Sequence, residues 1–278
     1  MTLPPRDLAV RVALLVWLVG WLTKAGVLMV GFTSFGWHVA VESQALLAAR
    51  WIPLVAYLGP VPLVIAAVAL GGRIAGALAA AAGLGCAAVL LVHVTTYGDA
   101  AFVTAFWAAL WLLWASLVSD AEVMRWGPRL AQGVIALIFL GGALGKLTPE
   151  YWNGTVLYDI TVRDQPSWLY RGLRASLEPE QVRALATGFS RLVTVSELAL
   201  ATSVLWPSRI ALAAAAAAGI GMAATSTLQV FAATGAVTAL GLGGLVLTGL
   251  PRELWDRVAA VGAQPEEREV VARRVFGG

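Results

Sequence analysis

The sequence predicts an all-α protein, a polytopic integral membrane bundle of about eight transmembrane helices. Composition is the first observation, because 59% of the 278 residues are hydrophobic and 13% are charged, against roughly 25% charged residues in an ordinary soluble domain. The second is the placement of the charges, which collect in short segments between apolar runs of about 17 to 25 residues. Runs of that length cross a hydrocarbon core about 30 Å thick, so the lipid bilayer is the expected surrounding of this chain.

The predicted elements follow the apolar runs in order. Residues 11–32 form the first span, which is too long, and too charged at Lys24, for a cleaved signal peptide. Residues 33–50 mix charged and aromatic side chains, which favours a helix on the membrane surface. Seven further spans are expected at 51–70, 73–94, 100–118, 130–147, 184–206, 209–231 and 234–250. Residues 1–263 therefore make one transmembrane domain with an external segment at 148–183, followed by a cytoplasmic tail at 264–278.

The basic residues predict the orientation, because Lys and Arg near span ends favour the cytoplasm. A cytoplasmic N-terminus and C-terminus, in the cell (inner) membrane, put most of the arginines on the inner side. The outer turns around 97–99 and Thr234 then carry no basic residue. The arginines assigned to the cytoplasmic side are Arg6, Arg11, Arg73, Arg125, Arg129, Arg209, Arg252, Arg257, Arg268, Arg273 and Arg274.

Alanine and glycine tracts predict close contacts between helices. Small residues let helix backbones approach in lipid, and such tracts occur at 77–85 and 211–221. The pair Gly141 and Gly145, four residues apart, belongs to the same class and is expected to be a packing face.

Some functions are disfavoured by the residue inventory. A net charge of +3 without a dense basic stripe argues against nucleic-acid binding. One cysteine, Cys86, and two histidines, His38 and His93, leave too few soft or imidazole ligands for a typical metal centre or haem. We therefore expect no metal or haem cofactor.

Two ionisable residues lie deep in predicted spans, Lys24 in the first and Glu197 in the sixth. A charged side chain costs about 2.5 to 3.5 kcal/mol at a helix centre on insertion scales, so each needs a partner or a purpose. Opposite charges at similar depth predict a Lys24–Glu197 pair. Such a pair either fixes helix packing or takes part in catalysis or proton movement.

Lys146 lies at the outer end of the fifth span, after Gly141, Gly142 and Gly145. One interpretation is an interfacial lysine that extends toward lipid headgroups beside Tyr151 and Trp152. The other is a base, because the glycines leave room for a ligand and withdrawal of an amine from water favours its neutral, proton-accepting form.

His93, near the outer end of the third span, is open to two interpretations as well. Its imidazole could relay protons, or it could cap the helix end through a hydrogen bond of the ring. The second is the more common role for a single histidine at such a position.

The run from Gly141 to Lys146, followed by Trp152, Gly154 and Tyr158, resembles the most recognisable segment of the HTTM family. That family shares the membrane domain of vitamin K-dependent gamma-glutamyl carboxylase. The resemblance implies that Lys146 is the base that deprotonates reduced vitamin K and starts its oxygenation. It implies an enzyme of the carboxylase or epoxidase kind, an oxidoreductase or lyase. DoxX-like membrane proteins have a similar glycine-lysine helix end and are the second family to consider.

A second likeness and two departures accompany this resemblance. Ser190, Thr194 and Glu197 are similar to a Thr-x-x-Glu-Leu helix of the family, which implies that Glu197 faces inward. The helix in which many members carry a histidine has none here, at 221–227. The chain also ends soon after the eighth span, without the large extramembrane portion of the carboxylase.

Two functional hypotheses follow. The first is a cavity open to the outer side that binds or oxidises a lipid-soluble quinol such as reduced vitamin K. The second is a non-catalytic membrane subunit that anchors a membrane or extracytoplasmic partner protein, which the two departures favour. The candidate catalytic residues are Lys146, Glu197, Lys24 and His93, and the candidate ligand-binding residues are Tyr151, Trp152, Gly154 and Tyr158.

Overall fold

A computed structural model describes residues 4–24, 51–93, 100–159, 168–225 and 228–249. These residues are helical with short connections, and no strand occurs among them. The predicted surface helix at 33–50, the outer turn at 97–99 and the tail at 264–278 lie outside the described residues. The described helices are α1 Pro5–Leu22, α2 Trp51–Leu58, α3 Pro60–Leu70, α4 Arg73–His93, α5 Ala100–Leu117, α6 Asp120–Gly145, α7 Pro149–Trp152, α8 Thr155–Leu157, α9 Trp168–Ser176, α10 Pro179–Ala201, α11 Ser208–Thr225 and α12 Leu228–Leu247.

Six helical stretches in the described ranges are long and apolar enough to cross a membrane. This agrees with an all-α, multi-pass membrane bundle. Helix α1 has 18 residues but carries Arg6, Asp7 and Arg11 in its first half. Helix α12 contributes a shorter apolar stretch, Phe231–Leu247. The six stretches are Trp51–Leu70, Arg73–Leu91, Ala100–Leu117, Asp120–Gly145, Pro179–Leu205 and Ser208–Thr225.

Helix α6 begins ten residues before the predicted span. Its start is fixed by a capping box, in which the Ser119 hydroxyl accepts from the Glu122 amide at 3.3 Å and the Glu122 carboxylate accepts from the Ser119 amide at 3.1 Å. These bonds satisfy amides that the first turn of a helix otherwise leaves unpaired. Polar residues at the membrane boundary therefore extend the helix, although they do not extend the apolar run.

The predicted outer turn at Thr234 is wrong. Thr234 lies inside α12 and is 7% exposed, and α11 ends earlier, at Thr225. Helix α12 begins at Leu228, so the boundary coincides with the polar sequence 225–229, several residues before the predicted turn.

Helix α12 forms the centre of the bundle and packs against α1, α5, α6 and α11. It crosses α1 closely, because a Cβ built on Gly235 would lie 2.8 Å from the Gly20 Cα atom. The predicted small-residue faces are confirmed in α11, where Ala211, Ala215 and Gly219 are buried. Small residues therefore set the spacing of the central helices.

The predicted packing face at Gly141 and Gly145 is not observed among the described residues. A Cβ built on either glycine would meet no described atom within 4 Å. The neighbouring Leu140 and Leu144 are exposed as well. This side of α6 is therefore open beside the C-terminal end of the helix.

Candidate functional site

The C-terminal end of α6 turns directly into a second, short helix. Lys146 is the C-cap of α6, and Thr148 then caps α7 by accepting a hydrogen bond from the Tyr151 amide at 3.3 Å. Pro149 occupies the first position of α7, where a missing amide hydrogen costs nothing. The local sequence thus places Lys146 and Tyr151 within one tight turn.

Lys146 forms an ion pair with Glu197 of α10. Its Nζ atom lies 2.8 Å from Oε1 and 2.6 Å from Oε2 of Glu197, and 3.3 Å from the Gly142 carbonyl oxygen. The side chains are 23% and 11% exposed. An ammonium has three N–H donors, and three acceptors surround it here. The pair joins α6 to α10 through two residues that are 51 positions apart in the chain.

Gly142 provides the space that the pair occupies. A Cβ at this position would lie 3.1 Å from Glu197 Oε2 and 3.5 Å from Lys146 Nζ. Any larger residue would press on the carboxylate. Of the three glycines near the end of α6, Gly142 is the one that contacts the pair.

Tyr151, in the short helix α7, covers the ion pair. The centre of its ring lies 5.7 Å from Lys146 Nζ, which places the ammonium over the aromatic face. Burial raises the pKa of Tyr151 above its usual range, and the charge of Glu197 and the neighbouring Tyr170 raise the pKa further. The phenol therefore stays protonated at neutral pH and can act as a hydrogen-bond donor.

Residues 149–158, called the strap below, are held against α10. The Ser190 hydroxyl donates to the Tyr151 carbonyl, the Thr187 hydroxyl to the Asn153 carbonyl at 2.8 Å, and the Arg191 Nε to the Trp152 carbonyl at 3.3 Å. Three side chains within five residues of one helix thus satisfy consecutive carbonyls of the strap. They fix Tyr151 over the pair.

Gly154 has a structural role in this contact. Its φ is +79°, a conformation that glycine adopts at little cost, and a Cβ there would lie 2.5 Å from the Thr187 Cα atom. The glycine therefore lets the strap backbone touch the α10 backbone. Packing of the strap against α10 is therefore a sufficient reason for a glycine two residues after Trp152.

The other two candidate ligand-binding residues lie along α10, at increasing distance from the pair. Trp152 stacks under Arg191 at 5.4 Å, and Tyr158 under Arg183 at 5.7 Å. Arg183 precedes Glu197 by fourteen residues, about 21 Å of helix. The structure therefore brings Lys146, Glu197 and Tyr151 together, and places Tyr158 on a separate contact.

The predicted pairing of Glu197 with Lys24 is wrong, because both oxygens of Glu197 bind Lys146. Lys24 lies in the turn after α1, with its amide bonded to the Trp21 carbonyl at 3.2 Å. His93 is the last residue of α4, and its side chain lies outside the described part of the structure. Neither residue is placed at the pair by a described contact.

The inward orientation of Glu197 is confirmed. Glu197 is 8% exposed, and Ser190 and Thr194 on the same face are fully buried. Sequence reasoning named this face but missed Thr187 and Arg191 as residues that hold the strap. Their signal was the spacing 187, 190 and 191 on one helical side, which becomes meaningful once the strap is known to lie there.

No group of three or more histidine, cysteine, aspartate or glutamate residues that could hold a metal ion occurs in the described ranges. No protein-family model matches the chain, and no curated protein or solved structure matches it significantly.

Proposed function

We propose that this multi-pass membrane protein binds the oxygen-bearing head of a lipid-soluble quinol at the Lys146–Glu197 pair, and that the pair takes a proton from it. The observation that carries the proposal is the ion pair itself, 2.6 Å long, partly exposed and covered by a phenol donor. Withdrawing charged side chains from water at the end of a span costs free energy, so a charged pair that is kept there suggests a functional role. A quinol hydroxyl offers both a proton and an oxygen that such a pair can bind.

The arrangement favours Glu197 as the proton acceptor. An ammonium has no free electron pair, so in the ion-paired state the Glu197 carboxylate accepts the quinol proton. Lys146 then stabilises the quinolate oxygen, and Tyr151 can donate a hydrogen bond to it. Dioxygen is the proposed oxidant, which takes two electrons and two protons from the quinol to give quinone and hydrogen peroxide.

Access from the bilayer is the second part of the proposal. The open face at Gly141 and Gly145 lies within five residues of Lys146 and is flanked by the exposed Leu140 and Leu144. A flat ring attached to an apolar tail could reach the pair along this face. The arrangement favours lateral entry from lipid over entry from water.

The finer topology belongs to the same proposal. Adding α1 and α12 to the six apolar stretches gives eight spans, and an even number puts both termini on one side. The arginine distribution favours the cytoplasm for that side and the cell (inner) membrane as the location. The strap and the pair then face outward.

The family resemblance supports reduced vitamin K as the quinol to test first. Lys146 and Glu197 belong to the two motifs that carry the HTTM resemblance, and they are in direct contact. Contact between two separately matched motifs is what a shared site would require.

The test is oxygen uptake with a vitamin K-type hydroquinone and the purified protein in lipid nanodiscs. We expect Lys146→Ala and Glu197→Gln to lower turnover at least about a hundredfold, the lower range for loss of acid–base catalysis. Glu150→Gln is the matched control, because Glu150 is an exposed carboxylate of the strap. Equal rates in all four proteins would overturn the proposal.

A non-catalytic membrane subunit is the second candidate, and one observation favours it. The three donors of Lys146 already have three acceptors, so the pair can serve to lock α6 to α10 without any ligand. Co-purification of a stoichiometric membrane or extracytoplasmic protein, with no quinone in the lipid extract, would support this function.

A further inference from the structure

A cavity of about 320 Å³ lies at the opposite end of the bundle from the ion pair. It forms where the start of α1 meets the α3–α4 turn and the α5–α6 turn. The polar lining consists of Arg6, Asp7, Gly72, Arg73, Ser116 and Asp120. Two guanidinium groups and two carboxylates therefore face one small space.

Part of this lining holds the helix ends together. Arg6 is 6% exposed and donates to the carbonyls of Ala115, at 2.9 Å, and Ser116, and to Asp120 Oδ1 at 2.6 Å. Asp7 accepts from the Gly72 amide at 2.8 Å. All three nitrogens of the Arg6 guanidinium are thus occupied, and Arg6 acts as a fixed wall of the cavity.

Other polar groups of the lining keep free bonding capacity. The Ser116 hydroxyl is buried without any hydrogen-bond partner in the described part of the chain, and the residue is 2% exposed. Toward the described residues, Arg73 uses only Nη2, which donates to the Val118 carbonyl and Asp120 Oδ1. Asp120 Oδ2 accepts no hydrogen bond from a described residue. A buried unpaired hydroxyl is costly, which points to a partner that completes this site.

The cavity lies at the expected boundary between lipid and water. Four apolar stretches begin or end beside it, at Leu70, Arg73, Leu117 and Asp120. The adjoining Leu70 and Ile74 are each 77% exposed, and Leu117 is 65% exposed. Apolar side chains this exposed suit contact with acyl chains directly next to the polar cavity.

We propose that this cavity binds the zwitterionic headgroup of a phospholipid that carries a primary ammonium, with its acyl chains along Leu70, Ile74 and Leu117. The phosphate accepts from the free N–H groups of Arg73 and from Ser116, and the ammonium donates to Asp120 Oδ2. Asp7 is already paired with Arg11 at 2.9 Å, so the lining offers a ligand one cation, Arg73, beside one anion, Asp120. That combination matches a zwitterion better than a purely anionic group. A quaternary ammonium could not donate to Asp120.

The test measures lipid affinity of the delipidated protein in detergent by native mass spectrometry. The probes are phosphatidylethanolamine, phosphatidylcholine and phosphatidylglycerol with equal acyl chains, and free phosphoethanolamine. We expect phosphatidylethanolamine to bind most tightly, and Arg73→Gln and Asp120→Asn to weaken it about tenfold or more, the effect of losing one charge-assisted hydrogen bond. Arg125→Gln, an exposed arginine outside the cavity, should retain full affinity.

Three results would overturn the proposal. These are equal affinity for the three lipids, unchanged phosphatidylethanolamine binding in Arg73→Gln, and free phosphoethanolamine binding as tightly as the lipid. Because Asp120→Asn also removes a partner of Arg6, Arg73→Gln is the decisive variant. The Arg73 side chain is 53% exposed, so replacing it leaves the buried hydrogen bonds of Arg6 in place.

Discussion

At the scale of single residues, Gly142 determines whether the ion pair fits between α6 and α10. We expect Gly142→Ala to destabilise the protein by about 1 to 3 kcal/mol, the usual cost of overpacking, because its Cβ would lie 3.1 Å from Glu197 Oε2. Gly141→Ala is the matched control and should be neutral or slightly stabilising, since alanine favours a helix by about 1 kcal/mol over glycine. Thermal unfolding of both variants in detergent measures the difference. Equal melting temperatures would mean that the pair does not need this space.

Tyr151 should make the stability of the folded protein depend on pH. Its folded-state pKa is raised above the unfolded value, so its contribution to stability is complete below about pH 10 and declines above it, where the unfolded chain loses the proton first. We expect Tyr151→Phe to show a shallower loss of stability between roughly pH 10 and 12. Denaturation followed across this range tests it, and identical slopes in the two proteins would contradict it.

At the scale of elements, the strap is the feature that completes the site. Thr187, Ser190 and Arg191, near the middle of α10, bind three consecutive carbonyls of the strap. The site therefore depends on a contact between two elements, and neither element alone would place Tyr151 over the pair.

Gly154 allows this contact to be tested. We expect Gly154→Ala to cost about 1 to 3 kcal/mol, because the residue has a φ of +79° and its Cβ would lie 2.5 Å from Thr187 Cα. Gly188→Ala, one residue from Thr187 and with no described atom within 4 Å of its Cβ, is the control.

The measurement for this pair of variants is limited chymotrypsin digestion. Released strap aromatics should be cut faster in Gly154→Ala, whereas Gly188→Ala should resemble the unmodified protein. Equal cleavage in the two variants would show that the strap does not depend on the close backbone approach.

At the scale of the whole molecule, the orientation in the membrane can be tested directly because Cys86 is the only cysteine. In a Cys86→Ala background, we expect Asn153→Cys, on the strap, to react with an impermeant maleimide in intact cells. Arg125→Cys, near the start of α6, should react only after permeabilisation, because the basic side is expected to face the cytoplasm. The reverse pattern would invert the topology and place the ion pair inward.

The predicted spans and the observed helices agree better in their centres than at their ends. Hydropathy predicted the α4, α5 and α10 spans to within a few residues, and the HTTM resemblance identified Lys146 and Glu197 as candidates. Hydropathy misplaced the α11–α12 turn, which lies at the polar sequence 225–229 and not at Thr234. It also started the α6 span late, because the first turn of α6 is polar and is held by a capping box. Helix ends depend on hydrogen bonds that mean hydropathy does not record.

The sequence by itself determined that this is a membrane bundle and which ionisable residues need partners, because both follow from the free energy of placing side chains in lipid. Which partner each residue takes was decided by the tertiary structure. Lys24 and Lys146 were both available to Glu197, and the crossing of α6 and α10 at Gly142 selected Lys146. Packing across 51 residues of chain sets this choice, and no local pattern contains it.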